Sequence, residues 1–104
     1  MTSSYLQVHI SAENKAQADR ILNSLLKKNL VVGGMITNAP ARFWWKGEIV
    51  DMNYYNISVF TKSAYKKAII ADVRKTSVEE VPMVWFVSFD GNTELLKWID
   101  KIVS

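Results

Sequence analysis

FWWKGEIVDMNYYNISVFTK, residues Phe43 to Lys62, reads as two strands around Lys46-Gly47. Arg42 to Trp45 forms the first run and Glu48 to Thr61 the second, both rich in β-branched and aromatic residues. At about 3.3 Å per residue the second strand extends about 45 Å, more than a small domain needs. A strand that overshoots its own sheet leaves N–H and C=O groups unpaired, and such edges are commonly covered by another subunit.

Working upstream, Tyr5 to Ile10 alternates as a first strand. The period then changes: Asn14 is an N-cap with Gln17 three residues on, and Ala18, Ile21, Leu22, Leu25 and Leu26 form one face of a helix ending near Lys28-Asn29. Leu30 to Thr37 is a buried strand whose Gly33-Gly34 implies close approach by another backbone or ring. Asn38 to Ala41 is predicted as a turn, since Pro40 biases Ala39 away from the helical region.

Downstream, Ser63 is predicted to cap a helix carrying Tyr65, Ala68, Ile69, Asp72 and Val73, fading at Lys75-Thr76. Pro82 opens a strand, and the apolar run Met83 to Phe89 predicts burial on both faces. Asp90-Gly91-Asn92 is a turn, and Thr93 is predicted to cap a last helix with Leu95, Leu96, Trp98, Ile99, Ile102 and Val103 on its apolar face. The sum is β-α-β-β-α-β-α: an α+β, split βαβ plan with a four-stranded antiparallel sheet, two helices on one face and a terminal helix.

The chain has 104 residues, 49% of them hydrophobic, which fits a single domain over 1–104. No segment is low in complexity, and no repeat is present. The charge of +3 is mild and its lysines are spread over three helical segments, which argues against a nucleic-acid surface. Cysteine is absent, so disulfides, thiolate metal sites and cysteine nucleophiles are excluded. The opening MTSSYLQVHI has neither a basic n-region nor an apolar h-region, and no apolar run reaches the length of a membrane span. The expectation is a cytoplasmic protein without a membrane partner.

Trp45 and Gly47 in FWWKGEI, Lys62 in FTK, Val81-Pro82, and Gly91-Asn92 followed by Leu96-Lys97-Trp98-Ile99 resemble, in order and spacing, the CutA divalent-cation-tolerance family. The resemblance spans nearly the whole chain. It implies a ferredoxin-like fold, a homotrimer in which the long hairpin and sheet edges of neighbouring subunits pair, a likeness to PII signalling proteins, and copper as a divalent cofactor. The trimer also answers a physical question. Helices cover only one face of such a sheet, yet Phe43, Trp44, Trp45, Met52, Tyr54 and Trp85 belong to an aromatic and apolar set too large for that one face.

The family's His-Pro-Tyr-Glu-Val-Pro-Glu segment aligns with Ser77 to Met83, where Glu80, Val81 and Pro82 survive. The histidine implicated in copper binding in relatives is Ser77 here, and the cysteine often found in the second strand falls near Val32. Carboxylates and carbonyls would favour harder divalent ions, bound weakly. The family's Tyr-x-Trp-x-Gly-Lys is Phe43 to Glu48 here, exchanging a phenol for a phenyl and a cation for a carboxylate. His9, the only histidine, reads as a structural residue on the first strand.

Trp45, Lys62 and Glu80 are the ligand or metal cleft candidates. Lys62 either ends its strand in solvent or supplies a cation to a cleft between subunits near the other two. No G-x-S-x-G, P-loop, H-E-x-x-H or G-x-G-x-x-G pattern is present, so no catalytic residue is assigned. A non-catalytic sensing or scaffold role is the leading reading. A small-metabolite-binding protein or enzyme using the inter-subunit cleft is the alternative, and an RNA-binding sheet lacks its basic-Gly-aromatic signature.

Overall fold

A computed structural model describes residues 4–103. Strand β1 (Tyr5–Ala12) is followed by helix α1 (Lys15–Lys27), strands β2 (Gly33–Trp45) and β3 (Glu48–Lys62), helix α2 (Lys66–Thr76), strand β4 (Val84–Ser88) and helix α3 (Thr93–Ile102). A 3-10 turn at Ser63–Tyr65 leads from β3 into α2. The sheet order is β2-β3-β1-β4 with every pair antiparallel, the arrangement of the split βαβ plan.

Helix α1 begins where Asn14 accepts the Gln17 N–H at 2.9 Å, satisfying a donor that the first turn cannot. It ends where Asn29 takes a left-handed φ of 55° and the Leu30 N–H donates to the Leu25 carbonyl. The Gln17 side chain does not close a capping box; its Oε1 accepts from the Val78 N–H, tying α1 to the segment after α2. Ala18, Ile21 and Leu25 pack with Val8, Ile10, Ile57, Val59, Ile69 and Val73 in the main core. A second cluster of Val32, Ile99 and Val103, with Tyr5 and Phe60 packed against it, seats α3 beside the residue before β2 and the adjoining ends of β1 and β3.

Four local expectations are corrected. Residues 38–41 do not turn: β2 runs unbroken, with Pro40 opposite Asn53. Because β2 is an edge strand, the donor that proline lacks is one that an edge can spare. Ser63 makes no side-chain cap; it enters the 3-10 turn, and α2 starts at Lys66. Asn92 rather than Thr93 is the N-cap of α3. Finally, β4 is shorter than expected and is not buried on both faces, since it is the other edge and only Val84 and Phe86 pack on the core. Trp85 and Val87 remain about half exposed.

The close approach implied by the glycine pair is real at Gly34, where a Cβ would lie 1.8 Å from the Ser58 carbonyl oxygen. The β2–β3 hairpin extends the molecule to 43 Å in its longest dimension, against 27 and 22 Å in the others. The sheet face away from α1 and α2 carries α3 at one end, against Tyr5, Phe60 and Phe89, and is otherwise open, displaying Met35 at 68% and Trp85 at 47% exposure.

Candidate functional site

At the hairpin tip, Lys46 and Gly47 both take positive φ, 50° and 83°. That is the signature of the two-residue turn whose twist matches the flanking strands. The register pairs Phe43 with Val50, Ala41 with Met52 and Ala39 with Tyr54, while Trp44 faces Ile49. Strand alternation therefore places Phe43, Trp45, Val50, Met52 and Tyr54 on one face and Trp44 with Ile49 on the other. The first face curls over the 78–83 segment and encloses a cavity of about 400 Å³, bordered across from the rings by Glu13, Glu79, Glu80 and Met83. Phe43 and Tyr54 pack together in its wall, with centroids 5.5 Å apart.

Glu79 is the best-held carboxylate here. It accepts from the Tyr54 hydroxyl at 2.9 Å and from the Ser11 hydroxyl at 3.2 Å, and its own N–H donates to Ser77 Oγ. Ser11 in turn accepts the Met83 N–H at 3.0 Å, anchoring the segment to β1. Burial, then the bond to Glu79, pushes the Tyr54 phenol up to about 12. At neutral pH it is a proton donor and not a base.

Of the residues singled out from sequence, Trp45 and Glu80 border this cavity together. Glu80 pairs with Lys46 at 3.3 Å, and the same ammonium lies 5.4 Å over the Trp45 ring. Lys62 is elsewhere within the chain, at the opposite end of β3, where its ammonium meets Asp100 at 2.8 Å. The Tyr5 hydroxyl donates to both oxygens of the same carboxylate, at 2.9 and 3.1 Å. The bonds from Lys62 and then Tyr5 hold Asp100 below the usual carboxylate range, and the bond to Asp100 raises Lys62 and Tyr5. This triad ties α3 to the sheet, and Lys62 does not line the cavity with Trp45 and Glu80.

His9 is held on the open face. Its ring stacks on Trp85 at 4.9 Å and 13°, Nε2 faces Gln7 Oε1 at 3.2 Å, and Nδ1 faces Ser58 Oγ at 3.1 Å. Both ring nitrogens have protein partners. Among the described residues no group of three His, Cys, Asp or Glu side chains is disposed to hold a metal ion. The donor set does not fit a copper centre within one chain, which would need several nitrogen or sulfur ligands.

Tyr54, Glu79 and Ser11 were not among the cleft candidates read from sequence, where Tyr54 figured only in the apolar set. Tyr54 was visible as the next member of the Val50, Met52 alternation, but nothing in the sequence brings the 78–83 segment beneath it.

These features define a class: a ferredoxin-like α+β domain with one face covered by two helices, a second face that only the terminal helix covers at one end, and a long hairpin curled over an acidic segment. The family model for CutA1 divalent ion tolerance proteins matches residues 6–102, and the chain belongs to that family. It is 28% identical over 97 residues to the divalent-cation tolerance protein CutA of Archaeoglobus fulgidus, covering 92% of this chain and 95% of the relative. It is 26% identical to the Thermotoga maritima protein of the same name, covering 92% and 96%. The solved A. fulgidus structure, described as a periplasmic divalent cation tolerance protein, superposes with a TM-score of 0.92 at 27% identity, covering 96% of this chain and 99% of that one. Among the described residues no helix is long and apolar enough to cross a membrane.

Proposed function

We propose that this protein is a homotrimeric, non-catalytic member of the divalent-ion tolerance system, acting as a small sensor or scaffold. One observation carries the assembly: Trp44 is 74% and Ile49 59% exposed, directly opposite each other on the projecting hairpin, while the other face of the sheet leaves Met35 and Trp85 uncovered. Surfaces of this kind with aromatic and Met content resemble the centres of subunit interfaces. A neighbour covering them also carries its own hairpin, the one route by which Lys62 could join Trp45 and Glu80.

The tolerance role is supported by the family and by its curated relatives. Ion contact in this chain is oxygen-based and weak, through carboxylates such as Glu80, rather than copper coordination by imidazole and thiolate. The non-catalytic reading is supported by the family and its relatives, which are named for ion tolerance and not for a reaction. Light scattering on the eluting protein, with calorimetry against copper, zinc and magnesium, is the test. A monomer at micromolar concentration, or tight copper binding by the isolated chain, overturns this reading.

A further inference from the structure

We propose that the cavity between the β2–β3 hairpin and the 78–83 segment binds an organic ammonium ion, with Lys46 as its built-in competitor. The site shares Trp45 and Glu80 with the cleft of the proposed function, and the inference rests on three observations. First, Glu79 is a partly buried carboxylate met by two hydroxyls, and no cationic side chain pairs with it among the described residues. Its position is fixed, so an incoming cation finds an oriented anion and not a mobile one. Second, the opposite wall is aromatic, built by Phe43, Trp45 and Tyr54. Ring faces attract weakly hydrated cations within about 6 Å.

Third, an ammonium group already uses this chemistry. Lys46 Nζ lies 5.4 Å over Trp45 and 3.3 Å from Glu80, although its side chain is 68% exposed and free to swing away. Its tether is the hairpin turn, and Glu79 stays unpaired with it. A small ammonium compound could take the Trp45 and Glu80 positions and also reach Glu79.

The ligand class follows from the walls. An inorganic divalent ion keeps its water shell and gains little from ring faces, so the aromatic wall favours a less hydrated cation. An alkyl or aryl ammonium ion places its charge at the glutamates and its carbon against the rings, and about 400 Å³ lies within the range of small-molecule sites.

The test titrates the full-length protein with phenethylammonium and with neutral 2-phenylethanol, following tryptophan fluorescence and calorimetry. Saturable binding of the ammonium, with the alcohol at least about tenfold weaker, is expected. Glu79→Gln keeps the shape and the hydroxyl contacts but removes the charge, and should weaken the ammonium about tenfold while leaving the alcohol unchanged. Lys46→Asn removes the competitor and preserves the turn, since Asn-Gly suits it, and should tighten the ammonium about threefold to tenfold. Equal binding of alcohol and ammonium, no effect of Glu79→Gln, or weaker binding by Lys46→Asn each overturns the proposal. Far-ultraviolet dichroism and elution volume certify each variant's fold. Failure of magnesium binding or of trimer formation would count against the proposed function and leave this result standing.

Discussion

Gly34→Ala is the sharpest test of how the hairpin is attached to the domain. Gly34 sits opposite Val59, and a Cβ there would lie 1.8 Å from the Ser58 oxygen and 2.8 Å from both the Ser58 carbonyl carbon and Val59 Cα. All three are backbone atoms, so no rotamer change relieves the clash. Restoring an ordinary contact requires the strands to part by about 1.4 Å, well outside the hydrogen-bond window of about 2.7–3.2 Å. Two neighbouring ladder bonds at about 1 kcal/mol each, plus about 1–3 kcal/mol for disturbed packing of Val59 and Ile57, give a loss of about 3–5 kcal/mol.

For a domain of this size that corresponds to a melting temperature lower by at least about 12 °C. Gly47→Ala is the control: nothing lies within 4 Å of its Cβ position, and only its φ of +83° is strained, at about 1–2 kcal/mol. Both variants should be melted at one protein concentration, because association makes the midpoint concentration-dependent. If Gly34→Ala melts within a few degrees of wild type, or Gly47→Ala is the worse of the two, β2 and β3 do not approach as described.

Replacing Trp44 by Glu together with Ile49 by Lys keeps an attractive cross-strand pair while removing the exposed apolar face; light scattering should then show a monomer with unchanged dichroism. Asp100→Asn should be less stable than wild type at neutral pH. Since the folded carboxyl titrates below 3.8, its contribution is present above that value and lost as pH falls through the folded pKa, so melts of the two proteins should converge in acid. Lys62 and Tyr5 titrate higher in the fold than outside it, so their share is complete below their ordinary values and disappears at strongly alkaline pH. Lys28→Met strands the buried Asp72 carboxylate, whose second oxygen has no partner, and should cost about 1–3 kcal/mol in denaturant unfolding; adding Asp72→Leu should recover most of it.

Much of the fold was legible because its signals are local. Asn14 before Ala18, Ile21 and Leu25 announces a capped helix, and Lys46-Gly47 between alternating strands announces a hairpin. What misled was chemistry that depends on position in the sheet. Pro40 signals a turn unless its strand is an edge, and Met83–Phe89 looks doubly buried unless its strand is an edge with one face open. The site was half legible. Trp45 and Glu80 do share a cavity, but Lys62 was grouped with them through a contact no single chain makes, and its partner Asp100 lies 38 residues away on α3.

Ser77 shows how a retained fold can carry altered chemistry. In the resemblance to the family, this position corresponds to a histidine implicated in copper binding. Here its hydroxyl accepts the Glu79 N–H at 3.1 Å, two residues on, a local turn contact that a serine makes readily. That contact helps aim Glu79 at Tyr54 and Ser11, and so places a carboxylate against the aromatic wall. Where the family pattern has an imidazole, this chain has a hydroxyl that orients a carboxylate. With cysteine absent as well, the proposed cation contacts rest on oxygen and ring faces, which select by charge and shape rather than by imidazole or thiolate coordination.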